Sequence, residues 1–345
     1  MLSDAHLNQL MKMDPPTRFV IDPQSGARID SEENRVGKRL KSIANLVKEI
    51  SEGNDELFRI EQLGCKKIIK PRGLGLALTG VIERSLDEMN EYFPCNSFHP
   101  YSELLMQSVK KFPVLEHMKP RLRFVPYHMA STVRDALAEV VQEIRDGVKT
   151  KAFREGLDHS RRRVQKNAAS ARKRFNSALS RHSKVLAIRL DLVSGQEIAD
   201  VRGITNSVGV KQARAEFAKF QRYIRDTYPI LAFFGCLEYG ALTGIHFHVA
   251  ILLNGHLKQR DIWLAKQMGE HWKNVITERR GRYFNSNALR FPERAVGMIR
   301  REDYAKRRAF VKHVIAYLTK PDFWVRFTGV KKAFVGSLAE PRIAK

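Results

Sequence analysis

A chain of 345 residues, 43 % of them hydrophobic, is long enough for one large or two ordinary domains with at least one full core. That excludes fibrous, collagen-like and wholly disordered states. Its 61 Lys and Arg against 37 Asp and Glu leave a formal charge of +24, too one-sided for an ordinary small-molecule enzyme and suited to a polyanionic partner, nucleic acid first. The excess is local: residues 1–150 hold 22 basic and 21 acidic side chains, and residues 151–345 hold the rest.

In chain order, residues 13–33 are rich in Pro, Asp, Ser and Gly without periodicity, which predicts an irregular lead-in. Between about 34 and 112, Gly and Pro signals such as the stretch 71–80 and Phe93-Pro94 predict several helices and no chemical motif. Thr132 opens a helix with Val133, Leu137, Val140, Val141 and Ile144 at helical spacing, Thr132 and Asp135 forming a capping box. A break at Gly147 or Gly156 precedes a stretch without acids between Asp158 and Asp191, which carries ten basic side chains from Arg161 to Arg189. On a helix such a run either follows a phosphate backbone or is a solvated linker. Alternation over 184–192, with Leu186, Ile188, Leu190 and Leu192 on one side, predicts a strand with one buried face. A helix over 210–227, strands at 230–239 and 245–253, a helix at 261–276, a weaker strand at 296–300 and a helix from Asp303 to before Pro321 complete the order. The fold class is α+β, a mostly antiparallel sheet flanked by helices and preceded by a largely helical N-terminal region. The expected domains are residues 1–150, a basic helical connection at 151–183, a chemical domain at 184–328 and a basic tail at 329–345.

Three widely spaced cysteines, Cys65, Cys95 and Cys236, form neither a disulfide framework nor a four-Cys zinc site by themselves and fit a reducing compartment. The first residues lack a basic start and apolar run, and the most apolar stretch, 229–239, is too short to span a bilayer. A cytoplasmic protein without a membrane partner is expected.

The chemistry concentrates in Gly244-Ile-His-Phe-His-Val-Ala-Ile-Leu-Leu253. Ile245, Phe247, Val249, Ile251 and Leu253 form one apolar face, so His246 and His248 project together from the other. If the preceding strand returns through a loop of Ala241-Leu242-Thr243, Gly240 stands opposite Gly244 and Glu238 opposite His246. One carboxylate and two imidazoles then converge as a metal site with open coordination positions. A lone His-x-His pair is ordinarily structural; the joint pattern of shared face, mirrored carboxylate and basic surround distinguishes this one. Downstream, His313, Tyr317 and Lys320 follow at helical spacing along one face.

Glu238, then His246-Phe247-His248, then Tyr317-Leu-Thr-Lys320 at a helix end, in this element order, resembles the HUH endonuclease superfamily. Within it, the likeness is to rolling-circle replication initiators of the inovirus and prophage kind with a YagK/YfjJ-like C-terminal domain. The resemblance spans roughly residues 180–328, and the strand at 184–192 stands where the superfamily has its first, structural motif. It implies that Glu238, His246 and His248 bind Mg²⁺ or Mn²⁺ and that Tyr317 is the nucleophile, leaving a 5′-phosphotyrosyl enzyme and a free 3′-hydroxyl. A tyrosine with an ordinary pKa near 10 needs positive charge nearby, which Lys320 and the metal would supply. The sequence departs from relatives with two tyrosines one turn apart, since His313 precedes Tyr317 and Pro321 follows. Termination then draws on a second subunit, as in a homodimer, or on water or another group. No Gly-x-x-x-x-Gly-Lys-Ser/Thr loop occurs in the chain, so unwinding and synthesis fall to a host helicase and polymerase.

The expected substrate is single-stranded DNA or an origin hairpin. Arg279, Arg280, Arg282 and Tyr283, with Arg301, Arg307 and Arg308, either cradle it and stack its bases or form an ordinary solvated surface. A relaxase or transposase shares this chemistry. The rival from another class is a non-catalytic DNA-binding regulator.

Overall fold

The strongest helical periodicities of the N-terminal half become its longest helices. The computed structural model describes residues 19–21, 28–30, 32–64, 66–119, 122, 125–195, 208–240, 244–290, 293–319, 321–330 and 332–338. It divides the chain into two units, one of residues 1–162 and 323–325, the other of residues 163–322 and 326–345. The architecture is α+β, with an antiparallel sheet flanked by helices in the second unit and a mainly helical first unit. Among the described residues, no helix is long and apolar enough to cross a membrane.

In the first unit, β1 (Phe19–Ile21) and β2 (Arg28–Asp30) pair antiparallel where an irregular lead-in was expected. Helix α1 (Glu32–Glu52) buries Val36, Leu40, Ile43, Val47 and Ile50, the three- and four-residue spacing of a core-facing stripe. The stretch expected to hold several helices also contains a hairpin, β3 (Phe58–Leu63) and β4 (Lys66–Pro71). Its signal was short: the apolar residues alternate in Phe58-Arg-Ile60, and Gly64 adopts φ +58° at the turn. Cys65 lies outside the described residues. Helices α2 (Leu74–Gly80) and α3 (Leu86–Tyr92), joined by a π turn, lead to β5 (Asn96–Phe98), α4 (Pro100–Lys110) and α5 (Pro113–His117). Helix α6 (Ala130–Gly147) begins two residues before Thr132, and its N-cap Met129 makes no side-chain cap bond. Thr132 is therefore inside the helix and the expected capping box is absent, because the short turn Tyr127–Met129 already leads the backbone into it.

His99 caps α4 through Nδ1, which accepts from the Tyr101 amide at 3.4 Å. Its ring lies among Tyr101, Phe323 and Trp324. Burial pushes its pKa down to about 3, and a protonated ring would also lose the cap acceptor. Because the folded value lies below the unfolded one, this contribution to stability is complete above about pH 6.5 and is lost as pH falls toward 3, at about 1.4 kcal/mol per pH unit. Amide exchange of α4 should therefore report a loss of about 2 kcal/mol between pH 7 and 5. His99→Asn, which keeps a cap acceptor, should lack that part of the loss; equal pH dependence in both proteins would refute the assignment.

Helix α7 (Lys151–Arg181) follows the break at Gly147 and runs unbroken through Gly156. Eight of the ten basic side chains of the acid-free stretch lie on this helix, which the unit boundary crosses after Arg162, while Lys184 and Arg189 lie on the strand that follows. In the second unit come β6 (Lys184–Val193), α8 (Val208–Thr227), β7 (Ile230–Gly240), β8 (Gly244–Asn254), α9 (Asp261–His271), β9 (Arg282–Asn285) and β10 (Gly297–Arg300). Next is one continuous helix: α10 (Tyr304–Phe310), a π turn Val311–Ile315 and α11 (Ala316–Thr319). After α12 (Pro321–Trp324) and β11 (Val325–Phe327), β12 (Phe334–Leu338) turns part of the expected tail into a strand on β7.

The sheet order is β10-β6-β8-β7-β12, with β9 also on β6, and the pairings are antiparallel. Both faces are covered, which is why β8 is buried almost throughout. On one face, Phe217 of α8 stacks on Phe247 at 4.0 Å, and Trp272, just after α9, donates Nε1–H to the Val193 carbonyl at 2.9 Å. On the other, Phe175 of α7 and Phe310, Val314 and Leu318 of the last long helix pack over Ala187, Phe234, Cys236, Ala250 and Leu252. The expectation of a single buried face on β6 is corrected accordingly. Toward one end, this second face turns from hydrocarbon to ionisable side chains.

Candidate metal and nucleophile site

The hairpin register puts Glu238 opposite His246 and Gly240 opposite Gly244, as the sequence spacing requires. The residues 241–243 expected to form its loop lie outside the described residues, while Gly244 takes φ +68°. With a side-chain period of two, Glu238 on β7 and His246 and His248 on β8 share the polar end of the face. They are only 5 %, 3 % and 4 % exposed, so burying them requires compensation by charge or by a ligand.

Glu238 Oε2 stands 3.7 Å from His246 Nε2 and 3.5 Å from His248 Nε2. One ligand atom from each of the three residues lies within 4.8 Å of the others. Around an ion with bonds of about 2.1 Å, neighbouring ligands sit roughly 3 to 3.5 Å apart, so the donor set fits a divalent cation with little movement. The rings are oriented from behind. His246 Nδ1 lies 2.9 Å from the Gly244 carbonyl, to which it donates when protonated there, leaving Nε2 as the ligand atom. His248 Nδ1 makes a 2.7 Å ionic contact with Asp191 Oδ1. His248 Nε2 is buried, makes no hydrogen bond and faces Glu238. The Cys236 thiol donates to Glu238 Oε1 at 3.3 Å.

Burial opposes charge on His248, but Asp191 and Glu238 outweigh it and hold its pKa up, to about 9. Burial alone would raise Asp191; His248 and Arg189 instead keep it below the usual carboxylate range. Without metal, a proton on His248 occupies the place between two carboxylates that a cation would take.

Tyr317 arrives from the other layer. Its ring meets His248 edge to face at 5.2 Å between centroids, and the Arg189 guanidinium lies over it, 3.9 Å from the centroid. A π turn, Val311–Ile315, comes just before it. His313 is exposed and pairs with Glu293 at 2.6 Å. Lys320 lies outside the described residues, and the cation found against Tyr317 is Arg189.

No family model, curated protein or solved structure matches this chain. The geometry therefore carries the functional reading.

Of the residues expected to contact DNA, Arg279, Arg280, Arg282, Arg301 and Arg308 are exposed, and Tyr283 and Arg307 are half-buried. Four of the seven also have structural partners. Arg280 pairs with the buried Glu216 at 2.9 Å. Tyr283 donates its hydroxyl to Glu270 at 2.8 Å and lies so close to α9 that a Cβ on Gly269 would stand 2.1 Å from its ring. Arg301 donates to the Leu179 and Ser180 carbonyls at the end of α7, and Arg307 donates to the Arg301 carbonyl. The two site residues that sequence reasoning missed are Arg189 and Asp191. Both belong to the alternation of β6, where they read as a solvent face; only the pairing of Asp191 with His248 across β6 and β8 brings them inside.

Proposed function

We propose that this protein is a metal-dependent, single-tyrosine DNA nicking and joining endonuclease of the HUH kind that initiates rolling-circle replication of a phage, prophage or plasmid. The observation that carries the reading is that His248 serves both halves: its Nε2 faces Glu238 and its ring packs at a right angle to that of Tyr317. Glu238, His246 and His248 would hold Mg²⁺ or Mn²⁺. When bound, such an ion supplies Lewis-acid stabilisation to the charge that grows on a phosphate under attack. The Tyr317 oxygen forms a bond to phosphorus, the 3′-oxygen leaves with its electron pair and takes up a proton, and the strand remains joined to the enzyme through its 5′-phosphate. The free 3′-hydroxyl primes synthesis, and a later hydroxyl reverses the step. The formal charge of +24 suits a DNA substrate in the cytoplasm, with helicase and polymerase supplied by the host.

The test is incubation with a randomised single-stranded oligonucleotide pool and Mn²⁺, followed by denaturing electrophoresis. A DNA-bearing band that survives denaturant and vanishes with EDTA is expected, and sequencing it would give the cleavage site. Salt-sensitive binding without such a band would favour the regulator instead.

A further inference from the structure

Resting on that reading, we propose that Arg189 and Asp191 form a positioning pair that holds the Tyr317 ring in register with His248. Both project from β6 onto the site face, Asp191 opposite His248 and Arg189 opposite Ala250. Four contacts close a circuit. Asp191 Oδ1 meets His248 Nδ1 at 2.7 Å, Asp191 Oδ2 meets an Arg189 nitrogen at 3.6 Å, the Arg189 guanidinium covers Tyr317 at 3.9 Å, and the Tyr317 ring meets His248 at 5.2 Å.

This arrangement is an unusual way to bury an arginine. Its side chain is 14 % exposed, and its Nε is buried without a hydrogen bond. A guanidinium carries five donors in one plane, and this one has Asp191 and the Tyr317 side chain as its partners. What the plane does cover is the aromatic face of the nucleophile, an attraction that strengthens when desolvated. The flat cation restrains the ring's tilt, and Asp191 fixes the cation and the imidazole from a single carboxylate. Neither residue need touch DNA to act in this way.

Arg189→Lys tests the pair, because lysine keeps the charge and loses the plane. Two measurements need no DNA: Mn²⁺ affinity by calorimetry, and the NMR signal of Tyr317 in metal-free protein carrying ¹³C-labelled tyrosine, assigned with Tyr317→Phe. Arg189→Lys should shift or broaden the Tyr317 signal, leave Mn²⁺ affinity within about twofold and slow adduct formation by roughly 10- to 100-fold. Asp191→Asn should disturb the same signal and also weaken Mn²⁺ binding by about 10- to 100-fold. A Tyr317 signal and adduct rate unchanged in Arg189→Lys would overturn the proposal, whether or not Asp191→Asn folds. If the wild type forms no adduct while the NMR and calorimetric changes occur, the nicking reading falls and the positioning pair stands.

Discussion

Tyr317→Phe will form no denaturation-resistant complex with DNA under conditions where the wild-type protein does, a loss of roughly 10⁴-fold or more in adduct formation. The substitution removes one oxygen and retains the ring that packs on the core cluster, beneath Arg189 and beside His248. Folding, Mn²⁺ affinity and non-covalent DNA binding should all remain near wild type. The half-buried ring contributes area, which phenylalanine keeps, so melting temperature separates a lost nucleophile from a lost fold. An adduct of undiminished yield in this variant would assign the nucleophile to another residue and remove the basis of the single-tyrosine mechanism.

Replacing either imidazole should be nearly as damaging, through a different quantity. His246→Ala and His248→Ala each remove one of three ligands, and Mn²⁺ affinity should fall by at least about 100-fold, more than the loss expected for a supporting residue such as Asp191. Nicking should disappear with it, while DNA binding, which rests on surface cations, should largely persist. The two variants should differ in stability. His248 stands between Asp191 and Glu238, so its removal leaves the half-buried Asp191 and the buried Glu238 facing a gap. His246 is supported by a backbone carbonyl and should cost less. Equal and severe loss of folding in both, with no change in metal affinity relative to the folded fraction, would instead identify the histidines as ordinary core residues.

The hairpin was legible because a two-residue period and a short return leave a single register that keeps Ile245, Phe247 and Val249 on the apolar face, and Glu238 must then meet His246. The helix bearing Tyr317 was legible from its apolar spacing and from Pro321. Its π turn was not, because the extra residue per turn leaves no mark in composition. Arg189 and Asp191 escaped because ionisable residues at alternate positions of a strand read as a water-facing side, whereas a doubly covered strand is ordinarily apolar throughout. The structural partners of Tyr283 and Arg301 were not legible, since Glu270 and the carbonyls closing α7 are contacts no local pattern announces. The strand Phe334–Leu338 was lost in a segment whose basic residues suggested a tail.

The outer side of β6 is divided between two four-residue strands, β9 on its far half and β10 on its near half. No long uninterrupted row of backbone donors and acceptors is offered there, so ribbon-like polymerisation through that side is disfavoured, and any association along it would rest on side chains and so respond to charge and salt.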